Sequence, residues 1–173
     1  MKLPHIHIIA TGGTIAAHET SAMQTTGYRG DNLLLANELI RSIEGIEAHA
    51  EITAENIFSL PSSAMYEAHL LQLARRVNEL LADPAVDGLV ITHGTDTMDE
   101  TAYFLNLTVK TEKPVIITGA MRPATAASAD GPLNLYQAIS LAASSEAWGQ
   151  GVLVCFCDSI YSGRDVHKVN TFK

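Results

Sequence analysis

Short apolar runs alternate with amphipathic segments along most of this chain. The runs lie at residues 5–10, 88–92, 114–118 and 152–157. From Met65 onward, apolar side chains recur every three or four positions until Asp83 and Pro84, a spacing that predicts a helix. Continuous apolar strands that alternate with amphipathic helices are typical of a parallel sheet with both faces covered. The predicted fold class is therefore α/β, with a mostly parallel sheet and helices on both faces.

The remaining segments differ in periodicity, which predicts further helices, one weak strand and two loops. Helices are expected at residues 33–40 and 97–107 and from Gly131-Pro132 onward, and a weak strand at residues 48–52. Residues 59–63 are expected to form a loop. Residues 18–30 are polar with little periodicity, and long loops of this kind are often functional.

Composition places the chain among single globular domains. It has 173 residues, of which 47% are hydrophobic and 17% charged, enough for one domain with its own core. The net charge of −8 argues against a general nucleic-acid binder, which needs a basic face. The apolar runs are far shorter than the roughly 20 residues of a membrane span. We expect neither nucleic acid nor membrane as a partner, and a cytoplasmic protein, or alternatively a periplasmic one whose signal peptide has been removed.

The two cysteines do not form a disulfide framework or a zinc site. Cys155 and Cys157 lie two residues apart in the expected last strand, so they share one face and cannot bridge without distortion. No further cysteine is present to complete a zinc site. The pattern predicts a buried thiol pair in the core.

Polar turns follow three of the expected strands. Their residues are Thr11-Gly-Gly-Thr14, His93-Gly-Thr-Asp-Thr97 and Thr118-Gly-Ala-Met-Arg-Pro123. In α/β sheets, ligands bind beyond the carboxyl ends of the strands. We therefore expect the three turns to meet at one rim of the sheet and to form the functional site.

The first of these turns is open to several interpretations. Residues 11–14 could be an anion cradle, a tight turn or a nucleophile loop, because glycines allow close backbone approach and leave N–H groups available. The segment matches neither the dinucleotide-binding fingerprint nor the phosphate loop of nucleotide triphosphatases. A threonine nucleophile would need a neighbouring base.

The second turn offers an acid and a hydroxyl. Thr95 or Asp96 could simply cap the following helix; alternatively, Asp96 could bind a substrate ammonium while Thr95 activates a water or hydroxyl. The candidate bases are Asp96, Tyr28 and Lys168. A lysine acts as a base only when burial or neighbouring charges favour its neutral form, and Lys168 alone could equally be a surface lysine.

Five segments, in order, resemble the bacterial-type L-asparaginases. They are Ile9-Ala-Thr-Gly-Gly-Thr-Ile-Ala16, Gly88-Leu-Val-Ile-Thr-His-Gly-Thr-Asp-Thr-Met98, Gly119-Ala-Met-Arg-Pro123, Ser128-Ala-Asp-Gly-Pro132 and Gly163-Arg-Asp-Val-His-Lys168. Each alone is moderately specific, whereas five in order are very specific. The resemblance spans essentially the whole chain and implies the N-terminal domain of that family.

The resemblance implies hydrolysis of L-asparagine to L-aspartate and ammonia through a threonine acyl-enzyme, with some activity on L-glutamine, and no metal or organic cofactor. It assigns the nucleophile to Thr14 and an assisting tyrosine to Tyr28. Thr95, Asp96 and Lys168 match the second catalytic cluster of the family.

The resemblance also implies five substrate-binding residues, which are Ser62, Ser63, Thr95, Asp96 and Ala120. Ser62 would help to bind the α-carboxylate and Asp96 the α-ammonium, while backbone N–H groups near Thr95 and the first turn would stabilise the oxyanion. Ser63 stands where the family commonly has Gln or Glu, so the α-amino end of the substrate is expected to be held less firmly. The loop after Tyr28 is shorter than usual.

For domain organisation, the resemblance implies that residues 1–173 are an N-terminal catalytic domain that ends just after Lys168. A smaller C-terminal domain is expected but absent from this chain, so activity of the isolated chain is not assumed. The full-length form is expected to be a homo-oligomer, a dimer of dimers. Two alternatives stay open: the amidase subunit of a glutamyl-tRNA amidotransferase, which carries the same motifs, and a non-catalytic amino-acid-binding fragment.

Overall fold

The structure is a computed structural model that describes residues 2–26 and 33–170. Within them, six strands form one sheet in the order β2-β1-β3-β4-β5-β6, and every neighbouring pair is parallel except β5 and β6. The strands are β1 His5–Gly12, β2 Glu51–Leu60, β3 Gly88–Thr92, β4 Val115–Thr118, β5 Val152–Phe156 and β6 Ser159–Ser162.

In the part of the chain that the structure describes, four α-helices cover the two faces of the sheet and bury its apolar side chains. They are α1 Ala36–Arg41, α2 Glu67–Ala82, α3 Met98–Thr108 and α4 Gly131–Ala142. Alternate strand residues point to opposite faces. Accordingly, Ile8, Val90 and Ile116 pack with α1 and α4 in one core cluster. The other strand faces pack with α2 and α3 in a second cluster. The predicted α/β class with helices on both faces is confirmed.

The strand order creates a switch point between β1 and β3. The chain moves from β1 outward to β2 and then returns to place β3 on the other side of β1. At such a point the connections leave in opposite directions and open a crevice beyond the carboxyl ends of the strands. The loops that follow β1 and β3 carry Thr14 and Thr95, so the fold brings these two residues to the crevice.

Two parts of the sheet differ from the sequence prediction. β2 is ten residues long and continues to Leu60, where a loop was expected from residue 59. β6, the antiparallel edge strand, was not expected at all. β5 ends at Phe156, and Cys157 and Asp158 form the hairpin turn with φ of 49° and 59°.

The prediction of a buried thiol pair is wrong, because Cys157 lies in the hairpin turn and not in the strand. Cys155 is buried within β5, and burial raises the pKa of its thiol to about 11. Cys157 is exposed in the turn, because the two-residue reversal lifts it off the face that Cys155 occupies. Among the described residues, no helix is long and apolar enough to cross a membrane.

Candidate active site

The turn after β1 depends on two glycines with positive φ. Gly12 and Gly13 have φ of 100° and 80°, a region that L side chains rarely adopt. A Cβ on Gly12 would lie 2.6 Å from the backbone nitrogen and oxygen of Leu60. The Gly13 N–H donates a hydrogen bond to the Leu60 carbonyl at 3.1 Å. The turn is thus held against the end of β2, and Thr14 follows it as a buried residue in a short 3₁₀ turn.

The first and second turns touch through their glycines. A Cβ on Gly13 would lie 2.5 Å from both the Cα and the nitrogen of Gly94. Only a glycine at position 13 allows this backbone approach. Because Thr14 follows Gly13 and Thr95 follows Gly94, the contact brings together the two threonines that the sequence analysis selected.

Ser62 packs against the second turn and forms hydrogen bonds with it. It is 2% exposed, and a Cβ on Gly94 would lie 2.6 Å from its Oγ. The Ser62 hydroxyl accepts a hydrogen bond from the Asp96 N–H at 3.1 Å, and the Ser62 carbonyl accepts one from the Thr97 hydroxyl at 3.0 Å. Ser62 therefore fixes the backbone of Asp96. The neighbouring Ser63 is exposed.

Lys168 joins the two polar side chains of the second turn. Its Nζ donates to Thr95 Oγ1 at 3.0 Å and to Asp96 Oδ1 at 2.8 Å. The Lys168 side chain is 23% exposed and that of Asp96 is 62% exposed. The ammonium is thus held inside the site, while the carboxylate stays open to solvent and keeps acceptor capacity for a second cation.

A buried histidine lies behind this cluster. His93 is fully buried, and Gly94 O accepts from its Nδ1 at 2.6 Å. Since a carbonyl only accepts, Nδ1 carries the hydrogen, and Nε2 accepts from the Thr101 hydroxyl at 3.0 Å. Burial lowers the pKa of His93, so the imidazole is held neutral. His93 was not among the predicted site residues, although it is a polar residue at the end of a fully buried strand.

The third turn closes the site beside Thr95. A Cβ on Gly119 would lie 2.5 Å from His93 O and 3.4 Å from Thr95 Cγ2. Ala120 is fully buried, and its methyl group belongs to the core cluster on the α1 and α4 face. Any contact of Ala120 with a substrate would therefore be made by its backbone.

The structure brings most of the predicted site residues together. Thr95, Asp96, Lys168 and Ser62 form one hydrogen-bonded group, and Thr14 adjoins it through the glycine contact. A cavity of about 480 Å³ opens beside Thr95 and Lys168, with mostly apolar walls. Tyr28 lies outside the described residues. In the ranges 2–26 and 33–170, no group of three or more His, Cys, Asp or Glu side chains is arranged to hold a metal ion.

The fold and this site define the class of the molecule. It is a doubly wound α/β protein whose switch-point crevice holds a buried and a partly buried threonine, an ammonium and an open carboxylate. The N-terminal asparaginase family matches residues 5–173, and the chain belongs to that family.

Named relatives agree with this assignment. The chain is 50% identical over 169 residues to L-asparaginase 2 of Bacillus subtilis, covering 98% of this chain and 45% of that protein. It is 48% identical over 172 residues to the glutaminase-asparaginase of Pseudomonas fluorescens, covering 99% and 47%. The crystal structure of a probable cytoplasmic L-asparaginase from Campylobacter jejuni superposes with a TM-score of 0.90 at 47% identity, covering 97% and 51%. The chain spans about half the length of these relatives.

Proposed function

We propose that the protein hydrolyses L-asparagine to L-aspartate and ammonia, and that this chain supplies the nucleophile and the charged groups of the site. The observation that supports the proposal most directly is the position of Lys168, whose Nζ bonds both Thr95 and Asp96. The family supplies the substrate class, since its named members are asparaginases and glutaminase-asparaginases. A substrate that carries both a side-chain amide and an α-ammonium group suits this site, because the hydroxyls can act on the amide and the open carboxylate can bind the ammonium.

Substrate binding is assigned to the open carboxylate and the turns around it. Asp96 would take the α-ammonium with its free oxygen lone pairs while Oδ1 keeps Lys168. Ser62 would lie beside the α-carboxylate of the substrate, Ser63 beside its α-amino group and the backbone of Ala120 at the amide end. Because Ser63 is short, we expect the longer substrate L-glutamine to be held less well than L-asparagine.

In the first half of the reaction, Thr14 Oγ attacks the side-chain amide carbon of the substrate. A C–O bond forms, and the hydroxyl proton passes through a neighbouring base to the amide nitrogen. The C–N bond then breaks, and ammonia leaves an ester between aspartate and Thr14. Tyr28 is the proposed assistant of Thr14 in this proton transfer. Backbone N–H groups of the first two turns would stabilise the oxyanion.

In the second half, water attacks the ester carbonyl. One proton of the water is transferred to Thr14 Oγ as the ester breaks and aspartate is released, and the Thr95 hydroxyl polarised by Lys168 assists this transfer. Since Lys168 donates to Thr95 Oγ1, the hydroxyl hydrogen of Thr95 is directed away from the lysine. The adjacent positive charge favours negative charge on the Thr95 oxygen and on the reacting group beside it.

We further propose that the full-length protein acts as a dimer of dimers in the cytoplasm. The similarity to a probable cytoplasmic L-asparaginase supports this compartment. A relative from Haemophilus influenzae, 47% identical over 169 residues, is named a probable periplasmic L-asparaginase, and periplasmic location of this protein is the alternative. Fractionation of the source cells and light scattering of the purified protein test the two statements.

The proposed activity is tested with the purified full-length protein by ammonia release. Initial rates are compared for L-asparagine, L-glutamine and succinamate, which is asparagine without its α-amino group. We expect asparagine to be hydrolysed fastest and succinamate at least about a hundredfold more slowly, because succinamate offers Asp96 no cation. No ammonia from either amino-acid amide would overturn the proposal. Ammonia delivery to glutamyl-tRNA with a partner enzyme, instead of free ammonia, would favour the amidotransferase alternative.

A further inference from the structure

The third turn is fixed by two polar residues of α4 that the site described above does not include. Asp130 Oδ2 accepts from the Met121 N–H and Oδ1 from the Arg122 N–H, both at 2.9 Å. Asn134 Nδ2 donates to the Gly119 carbonyl at 3.0 Å and to Asp130 Oδ2 at 3.2 Å. Together the two side chains bond three residues of the turn and each other.

Asp130 departs from the usual behaviour of an acid at the start of a helix. It occupies the N-cap position of α4, where an aspartate ordinarily accepts hydrogen bonds from the first N–H groups of the helix. Its side chain makes no such bond. Both carboxylate oxygens instead accept hydrogen bonds from the loop before the helix. The side chain therefore stabilises that loop and does not cap α4.

Asn134 is also an unusual residue for a buried position in a helix. It is 3% exposed in the second turn of α4, and asparagine is a poor helix former that is costly to bury without partners. Its amide is fully used, since Oδ1 additionally accepts from the Cys157 N–H at 3.3 Å. Asn134 therefore ties the third turn to the hairpin between β5 and β6.

The loop held in this way forms a wall of the site. Gly119 packs directly on the His93 carbonyl and the Thr95 methyl group. Met121 lines the same cavity as Thr95 and Lys168. Displacement of this loop would move the backbone that faces the reacting groups, and small misplacements of this kind lower rates steeply.

We infer that Asp130 and Asn134 are positioning residues for the reaction: they hold residues 119–122 against Thr95. Neither is assigned a contact with substrate, and both act through the loop. The inference rests on the proposed asparagine hydrolysis for its kinetic readout, while the loop geometry itself is measured independently of activity.

The test compares Asp130→Asn with the matched control Asp158→Asn in the full-length protein. Asp158 also lies near α4, where its carboxylate accepts from Gln137 Nε2 at 2.6 Å, and its replacement removes the same charge. In Asp130→Asn an NH₂ group faces one of the backbone donors. We expect kcat on asparagine to fall at least about tenfold, with binding of the product L-aspartate within about twofold of wild type. The control should retain both values.

Asn134→Ala provides a second variant, because alanine favours α4 while removing all three hydrogen bonds of the amide. Hydrogen exchange at the amides of Met121 and Arg122 reports the loop directly, and it should accelerate in Asp130→Asn but not in Asp158→Asn. Unchanged hydrogen exchange at these two amides would overturn the inference. Faster exchange would also overturn it if kcat in both α4 variants equalled that of the control. If wild type released no ammonia, the proposed function would fail while exchange would still decide the positioning.

Discussion

Lys168 Nζ lies 3.0 Å from Thr95 Oγ1, although 73 residues separate the two along the chain. Thr95 follows a central strand of the sheet, whereas Lys168 lies beyond the edge strand β6. Because β6 runs antiparallel to β5, it ends beside the start of β5, and the segment after it returns along α3, where His167 Nδ1 lies 3.0 Å from Asp99 Oδ2, to reach the second turn. This return places a cation beside a hydroxyl that would otherwise be an ordinary loop residue.

Replacing Lys168 by methionine should lower kcat for asparagine by about a hundredfold or more, since it removes the positive charge that polarises the Thr95 hydroxyl. Lys168→Arg should recover only part of the rate, because a planar guanidinium does not reproduce the position of an ammonium. Lys110→Met is the matched control: this lysine is exposed after α3. Steady-state ammonia release measures all three variants. Wild-type turnover in Lys168→Met would remove the lysine from the mechanism.

Gly94→Ala should affect stability and substrate binding together. The added methyl group would lie 2.6 Å from Ser62 Oγ and 2.8 Å from Ser62 Cβ, so Ser62 must move, at a cost of about 1–3 kcal/mol in the free energy of unfolding. Because Ser62 Oγ accepts from the Asp96 N–H, the KM for asparagine should rise as well.

The double variant Gly94→Ala/Ser62→Gly separates these two effects. Removal of the Ser62 side chain relieves the clash and should restore part of the unfolding free energy, but Asp96 still lacks its acceptor and the KM should stay high. Urea unfolding and steady-state kinetics give the two quantities. Strictly additive losses of stability would show that the methyl group does not meet Ser62.

Stability should decline as the pH falls below about 6.5, the ordinary pKa of histidine. Burial lowers the pKa of His93 and that of His7, which favours neutral rings in the folded protein. Below that pH the unfolded chain takes up protons that the folded protein does not, which favours unfolding. The contribution is fully present above pH 6.5 and is lost as the pH falls toward the folded-state values.

His93→Asn should flatten this dependence while lowering stability at every pH, because it removes a titrating ring together with its buried hydrogen bonds. Unfolding free energies from about pH 8 to about pH 5 give the slope. His167→Asn is the control, since the His167 side chain is 76% exposed. An acid slope as steep in His93→Asn as in the control would contradict this account.

The central strands were predictable because each is a continuous apolar run that the sheet buries on both faces. β2 was underestimated because it lies at an edge of the sheet and carries polar residues such as Glu55, which pairs with Arg76 at 2.7 Å instead of packing in the core. β6 was missed because its hairpin turn is made by Cys157 and Asp158. Two-residue turns with positive φ usually show Asn-Gly or Asp-Gly in sequence.

Within the site, the turns that carry Thr14, Thr95 and Asp96 were predictable from strand ends alone, because parallel strands present their carboxyl ends at one rim. The choice of Thr14 as the nucleophile came from the resemblance. Lys168 was one of three candidate bases, and the resemblance assigned it to the catalytic cluster, since nothing local distinguishes it from a surface lysine. His93, Asp130 and Asn134 were not selected, because their importance lies in hydrogen bonds to distant backbone groups that only the folded chain reveals.

The role of Thr14 as nucleophile is tested most directly by trapping the ester. Full-length wild type, Thr14→Ser and Thr14→Ala are mixed with L-asparagine, quenched in acid within the first turnovers and analysed by intact mass and peptide mapping. Wild type should carry an aspartyl adduct on the peptide that contains residue 14, and Thr14→Ser should carry it at a lower level because serine presents the same oxygen. Thr14→Ala should show neither adduct nor turnover. An adduct elsewhere in the chain, or normal asparagine hydrolysis by Thr14→Ala, would contradict the account.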